Sequence, residues 1–294
     1  MIDDVVQSLW DEHVAWSETA GRLRSRRTLW RTVVLALTTL GATLQTVAVT
    51  VPWAWAKLGA GVGTLALALV PFLTRYFLTS EETSKWVRAR SISEGIKSEI
   101  YIYRAGAEPY TGTDASEILR RKVRDIRNWG RNVEVERAKI GSPTEPAPTK
   151  LLGDDYLQQR VYPQAGKYYR PNAKRNAELA ERFRWAGIAM AGLAAVLSAI
   201  ATFFGDPGSV KLGPWVAVLT TVGGSIAAHA AASRYDFKAT TFFATARQLE
   251  DLALDWQSSG KSAPSNAWSA FVRACEEAIS AENRGWMAKL DEKS

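Results

Sequence analysis

Apolar and polar residues along this chain are sorted into blocks rather than interspersed. Four uncharged apolar runs, residues 32–51, 58–74, 185–205 and 212–233, stand among long segments dense in Arg, Lys, Asp and Glu. About 20 helical residues cross a hydrocarbon core of about 30 Å, so uncharged runs of this length predict membrane spans before they predict buried core helices. The pattern therefore predicts an all-α membrane protein with four spans in two antiparallel hairpins, at about 32–51 with 54–74 and about 185–205 with 212–233. The second span is extended back toward Trp53 because the run from Leu58 covers only roughly 26 Å at 1.5 Å per residue. Lys57 can carry its ammonium out to the interface from there. Both connectors are short: residues 52–57 hold Pro52, Trp53 and Trp55, and residues 206–211 hold Asp206, Pro207 and Gly208. Pro214 and Trp215 open the returning fourth span, where an N-terminal proline and an interfacial tryptophan are well placed.

The polar blocks read as helices with long connections to the spans. Residues 1–28 place Val6, Leu9, Trp10, His13, Val14 and Trp16 on an apolar side and carry basic residues from Arg22 to Arg31 at the membrane end. A helix over 80–105 starts with Glu81 and Glu82 and ends near Gly106. A further helix over about 115–139 sets Leu119, Val123, Ile126 and Val133 against Arg120, Arg124, Arg127 and Arg131. Its basic face is either the solvated side of a bundle helix or a membrane-surface contact. Arg75-Tyr76 and Arg234-Tyr235 each follow a hairpin and precede a long polar helix, so the order of elements repeats at an offset of about 155 residues. This predicts an internal duplication: a first two-span unit over 1–140, a linker at 141–150 with three prolines in 141–148, and a second two-span unit over 151–294.

Charge sets the expected orientation. The mean hydropathy is only −0.15 because the apolar residues are concentrated in the four runs. Of 37 Lys and Arg, only Lys57 and Lys211 lie in the two connectors, so the positive-inside bias predicts both termini and the middle of the chain on the cytoplasmic side. Residues 114–184 carry 16 basic and 10 acidic residues, most of the formal net charge of +7. Anionic lipid is the partner expected for that surplus, and no nucleic acid partner is expected. The first apolar run follows 31 residues of mixed charge and exceeds a signal-peptide core, so it is expected to remain as an anchor. The one cysteine, Cys275, excludes an internal disulfide.

Within the spans, Thr32, Thr39, Thr43, Thr46 and Thr50 recur at spacings that share one helical face, with Gln45 adjacent. Such hydroxyls either line water or bond their own backbone and pack against another helix, so Thr39, Thr43, Gln45, Thr46 and Thr50 are candidates for pore lining or helix packing. Thr221, Ser225 and His229 form a second candidate face in the fourth span. An ionisable residue at membrane depth is a functional candidate, although His229 is only about one turn from Arg234 and also suits the interface. Stripes of small residues, from Gly187 to Thr202 and from Gly213 to Ala231, predict close helix packing within or between chains. Gly59, Gly61 and Gly63 resemble a phosphate loop but lie in an apolar helix with no preceding strand, which predicts helix packing. In the polar helices, Arg90 with Glu94 and Arg247 with Glu250 are candidate cytoplasmic ion pairs.

The segment Asp155-Tyr156-Leu157-Gln158-Gln159-Arg160, followed by Gln164, Lys167-Tyr168-Tyr169 and Ala173-Lys174-Arg175-Asn176 and then a two-span hairpin, resembles the SLATT family of bacterial two-transmembrane effector domains. The tail residues Phe271, Val272, Glu276, Glu277, Ile279, Glu282 and Trp286 look like that family's closing helix, and residues 154–290 are covered in all. The first copy matches more loosely, through its hairpin and Trp86, Arg90, Glu94, Glu99, Tyr101 and Tyr103. The resemblance implies tandem SLATT-like units in the bacterial cell (inner) membrane. It further implies a pore-forming effector of a conflict or stress system that homo-oligomerises, with a nucleotide-second-messenger-linked sensor as a candidate partner, and it supplies no catalytic residue.

No enzyme is expected. Gly260-Lys261-Ser262 ends like a phosphate-binding loop, but Asp255 stands where the first glycine belongs. Two histidines and one cysteine, widely separated, do not make an ordinary metal site, and no cofactor is expected. The leading expectation is an oligomeric channel in which leucine at Thr43 and Thr46 abolishes ion flux. The competing one is a non-conducting scaffold that anchors a helical bundle to a partner protein.

Overall fold

The computed structural model describes residues 2–51, 54–137, 145–204, 211–259 and 265–291. Among them there is no strand. The helices are α1 (Ile2–Thr50), α2 (Ala56–Phe77), α3 (Ser80–Arg104), α4 (Ala115–Arg127), α5 (Glu134–Arg137), α6 (Asp154–Tyr156), α7 (Arg170–Phe204), α8 (Gly213–Ser233), α9 (Tyr235–Ser258) and α10 (Ser265–Asp291). Four helices are long and apolar enough to cross a membrane, and they take in residues 32–50, 58–74, 185–204 and 213–233 of the four runs read from the sequence. The protein is thus an all-α membrane protein with two transmembrane hairpins.

Two compact units form, and each draws on both halves of the chain. One, the polar unit, holds Met1–Ser25, Ser80–Ala173 and Thr240–Ser294; the other, the hairpin unit, holds Arg26–Thr79 and Lys174–Ala239.

In the polar unit α3 is the central element. Its Trp86, Ala89, Ile92, Ile96 and Ile100 recur every three or four residues and are buried, which lays one apolar stripe along the helix. α10 and α4 both pack against α3, with Val272, Cys275 and Ile279 buried from α10 and Leu119, Val123 and Ile126 from α4. The α4 helix ends earlier than its pattern predicts, passing into a 3-10 turn at Asn128–Val133 and then α5. A β-carbon on Gly130 in this turn would overlap Ile92 Cδ1 and lie 3.2 Å from Trp16, so the backbone itself is drawn against the core. α3 ends at Gly106, whose φ of +60° only glycine adopts cheaply, and the Ala107 amide donates to the Ile102 carbonyl at 3.2 Å as in a Schellman cap. The described part of the predicted linker is tied down, since Gln7 donates to the Glu145 carbonyl at 2.7 Å and the Ala147 amide donates back to Gln7 at 3.0 Å.

Between α6 and α7 the helix widens into two π-helical stretches, Leu157–Val161 and Pro163–Tyr169. Buried Tyr156, Arg160, Ala165, Tyr169 and Ala173 follow at steps of four and five. Hydrogen bonds from i to i+5 make the wider turn that keeps such steps on one side.

In the hairpin unit the first pair of helices meets glycine to glycine. A β-carbon on Gly41 would lie 2.9 Å from the Gly63 carbonyl, and one on Gly63 would lie 2.9 Å from the Gly41 carbonyl. Backbones this close gain dispersion contacts where lipid offers no hydrophobic contrast. Trp30 and Phe77 stack at 3.9 Å at the end of the same hairpin. In the second hairpin Gly223 receives Met190, whose β-carbon is 3.3 Å from where a methyl on that glycine would stand. α8 ends at Arg234, a non-glycine residue at φ 52°, whose amide closes the last turn and whose guanidinium lies 4.2 Å from the Phe237 ring. Leu58, Leu65, Phe72, Ile188, Val196 and Phe203 all face outward, as lipid-facing side chains do.

Candidate functional site

The threonine stripe of α1 does not present one free hydroxyl face. Thr46 and Thr50 are buried, while Thr39, Thr43 and Gln45 are half-buried. Thr43 donates to the Thr39 carbonyl at 2.8 Å, and Thr50 donates to the Thr46 carbonyl at 2.7 Å. These hydroxyls are satisfied by their own helix. Gln45 reaches across the hairpin instead, donating to the Thr64 hydroxyl at 2.9 Å, and Thr64 donates onward to the Ala60 carbonyl. Gln45 therefore clips the two helices together one turn from the glycine contact.

The fourth span behaves differently. Thr221 is exposed and Ser225 half-buried on α8, and Gly224 is open, with nothing within 4 Å of where a methyl would stand. Gly187 and Gly192 on α7 are equally open. His229 is drawn toward aromatic rings: its centroid lies 5.0 Å from Phe183, and its Nε2 is 3.5 Å from the Tyr235 hydroxyl. Phe183 and Tyr235 stack on each other at 5.5 Å. Thr221 is thus the exposed member of this face, while His229 belongs to an aromatic cluster at the end of the span.

Of the predicted ion pairs, Arg90 and Glu94 act on each other electrostatically. Burial raises the Glu94 carboxyl, but Lys97, Arg90, Arg160 and His13 together hold it below its ordinary value. In α9, Arg247 lies 3.9 Å from Asp251, while Glu250 accepts from Nε and one terminal nitrogen of Arg170 in a bidentate pair.

A buried polar network in the polar unit had no signal in local spacing. Arg160 in the π-helical stretch and Glu276 on α10 are 1% and 2% exposed and form a bidentate pair, with both bonds at 2.8 Å. Tyr156 donates to the same carboxylate at 3.0 Å, and the Arg160 guanidinium stacks 4.1 Å from the Tyr101 ring. Burial alone would lower the Arg160 pKa, yet Glu276 outweighs it and keeps the guanidinium charged. Burial, with Glu276 beside it, pushes the Cys275 thiol up to about 12, so this cysteine is a packing residue rather than a nucleophile. His13 is held by Ser93, whose carbonyl and hydroxyl both lie 2.9 Å from Nδ1. Burial and the charge of Lys97 lower its pKa to about 4, which keeps the ring neutral.

Among the described residues no group of three or more His, Cys, Asp or Glu could hold a metal ion. Gly260-Lys261-Ser262, the Asp206–Gly208 turn and the side chains of Glu282 and Trp286 lie outside the described residues.

Two family models match the chain. SMODS and SLOG-associating 2TM effector domain 1 covers residues 156–286, including the π-helical stretch, the second hairpin and most of α10. A protein of unknown function (DUF4231) covers residues 13–117, including the first hairpin and α3. No curated protein and no solved structure matches. Residues 156–286 thus match the SLATT family of two-transmembrane effector domains, and the first half of the chain is consistent with a tandem SLATT-like copy.

Proposed function

We propose that this chain is a membrane effector that conducts ions as a homo-oligomer in a bacterial conflict or stress system. The effector assignment comes from the family of its second half. Conduction rests mainly on one observation: on α8 Thr221 is exposed and the backbone at Gly224 is open in a single chain. A hydroxyl facing lipid finds a partner only in its own helix, as exposed Thr220 does at the Val216 carbonyl, whereas several copies arranged around an axis would turn the Thr221 face toward a shared aqueous path. Open glycines on α7 leave room for a neighbouring copy to approach closely.

Liposomes loaded with potassium and carrying the purified full-length chain provide the test. Wild-type protein is expected to release potassium, and Thr221→Leu combined with Ser225→Leu is expected to slow release at least tenfold while cross-linked oligomers persist. Thr46 is a poor probe, because leucine at that buried site perturbs hairpin packing as well. The self-bonded hydroxyls of Thr43 and Thr50 favour the second reading, a non-conducting scaffold that anchors the polar unit to a sensor protein. Cross-linked oligomers that leave potassium trapped, and that cause no leak when overproduced in cells, would establish the scaffold instead.

A further inference from the structure

We propose that a groove between α1 and α4 of the polar unit binds a phosphate-bearing organic ligand through Arg120 and Arg124. The groove has a volume of about 480 Å³. Arg120, Arg124 and Arg127 form its α4 wall, and Val5, Ser8 and Leu9 of α1 stand opposite.

The three arginines differ in what they already hold. Arg127 is committed to Glu12, donating from Nε to the two carboxylate oxygens at 2.8 and 3.1 Å. Arg120 makes one long contact, 3.4 Å from Nε to its own helix at the Ser116 carbonyl, which leaves its terminal nitrogens to spare. Arg124 has no hydrogen bond or ion pair among the described residues. Like charges at i and i+4 on one helix face destabilise it. A phosphate offers what the pair lacks, because its oxygens accept forked donors from two guanidiniums at once.

The rest of the groove refines the ligand. Its volume falls in the range of small-molecule sites and exceeds what a bare phosphate ion fills. Val5 and Leu9 are apolar and Leu9 is buried, so the non-phosphate part of the ligand rests on carbon, and the Ser8 hydroxyl is available as a further donor. Asp4 is the acidic lining residue, and it confines an anion to the arginine wall. A soluble phosphate ester and a phospholipid headgroup share this chemistry.

The inference is independent of conduction, and its readout is binding. Full-length protein in uncharged detergent is titrated calorimetrically with phenyl phosphate and, separately, with dihexanoylphosphatidylglycerol. At least one probe is expected to bind, with affinity falling as salt rises. Arg120→Gln with Arg124→Gln should weaken that binding at least tenfold, and Ser8→Glu, which sets a carboxylate in the groove, should do the same. Arg121→Gln, on the same helix but outside the groove, should leave it unchanged. Tighter binding of phenyl phosphate identifies a soluble ligand, and tighter binding of the lipid identifies a headgroup. Failure of both probes, or an equal loss in Arg121→Gln, overturns the proposal.

Discussion

At the scale of single residues, the polar unit depends on two buried polar side chains, His13 and Glu276. His13 is neutral in the fold, with a pKa lowered from 6.5 to about 4 by burial and by Lys97. The unfolded chain therefore binds this proton first, and the stability that the neutral ring contributes is complete above pH 6.5 and lost as pH falls toward 4. The loss amounts to about 3 kcal/mol at the acid end. Thermal midpoints measured from pH 7.5 down to 4.5 should fall more steeply for wild type than for His13→Gln, and parallel curves would show that His13 is not the group responsible. Glu276 is the second case. Replacing it with alanine strips the buried Arg160 guanidinium of both hydrogen bonds and of its counter-charge, at a cost of about 3 to 5 kcal/mol. Chemical denaturation of Glu276→Ala should show that loss, and a change below about 1 kcal/mol would mean that water replaces the carboxylate.

At the scale of elements, the first hairpin is fixed where α1 and α2 touch backbone to backbone. Gly63→Ala must push the Gly41 carbonyl away and is expected to destabilise the hairpin by about 1 to 3 kcal/mol. Gly61→Ala, which points into open space, should be neutral or slightly stabilising. Resistance to denaturing detergent separates the two, and equal behaviour would show that the helices do not pack at this crossing. The spans themselves were legible in the sequence because absence of charge over 20 residues is a property of the local string. The partners of the polar residues were not. Thr46 and Gln45 sit side by side on one predicted face, but only the position of α2 decides that one is buried and the other bonds Thr64. Glu250 turns to Arg170, 80 positions away, rather than to Arg247 beside it. The π-helical stretch did leave a trace, since Tyr156, Arg160, Ala165, Tyr169 and Ala173 keep a spacing too wide for an α-helix.

At the scale of the whole molecule, the distribution of basic residues makes a topological claim that can be measured directly. A reporter inserted after Lys57 or Lys211 is expected on the outer side of the membrane and one fused at either terminus on the cytoplasmic side. Cytoplasmic signal from the connectors would reverse the orientation while leaving the four spans in place.

The polar unit also bears on how a chain with two membrane hairpins is put together. Trp268 donates to the Ala105 carbonyl at 2.8 Å, the Glu108 amide donates to Ser269 at 3.0 Å, and the Leu151 amide donates to the Arg104 carbonyl at 2.9 Å, so the two halves of the chain are stitched across one shared interior. Neither half owns a complete hydrophobic centre. Severed at the proline-rich stretch between them, each fragment would expose the stripe its sibling covers, and the pair behaves as a fused heterodimer whose stoichiometry is fixed at synthesis.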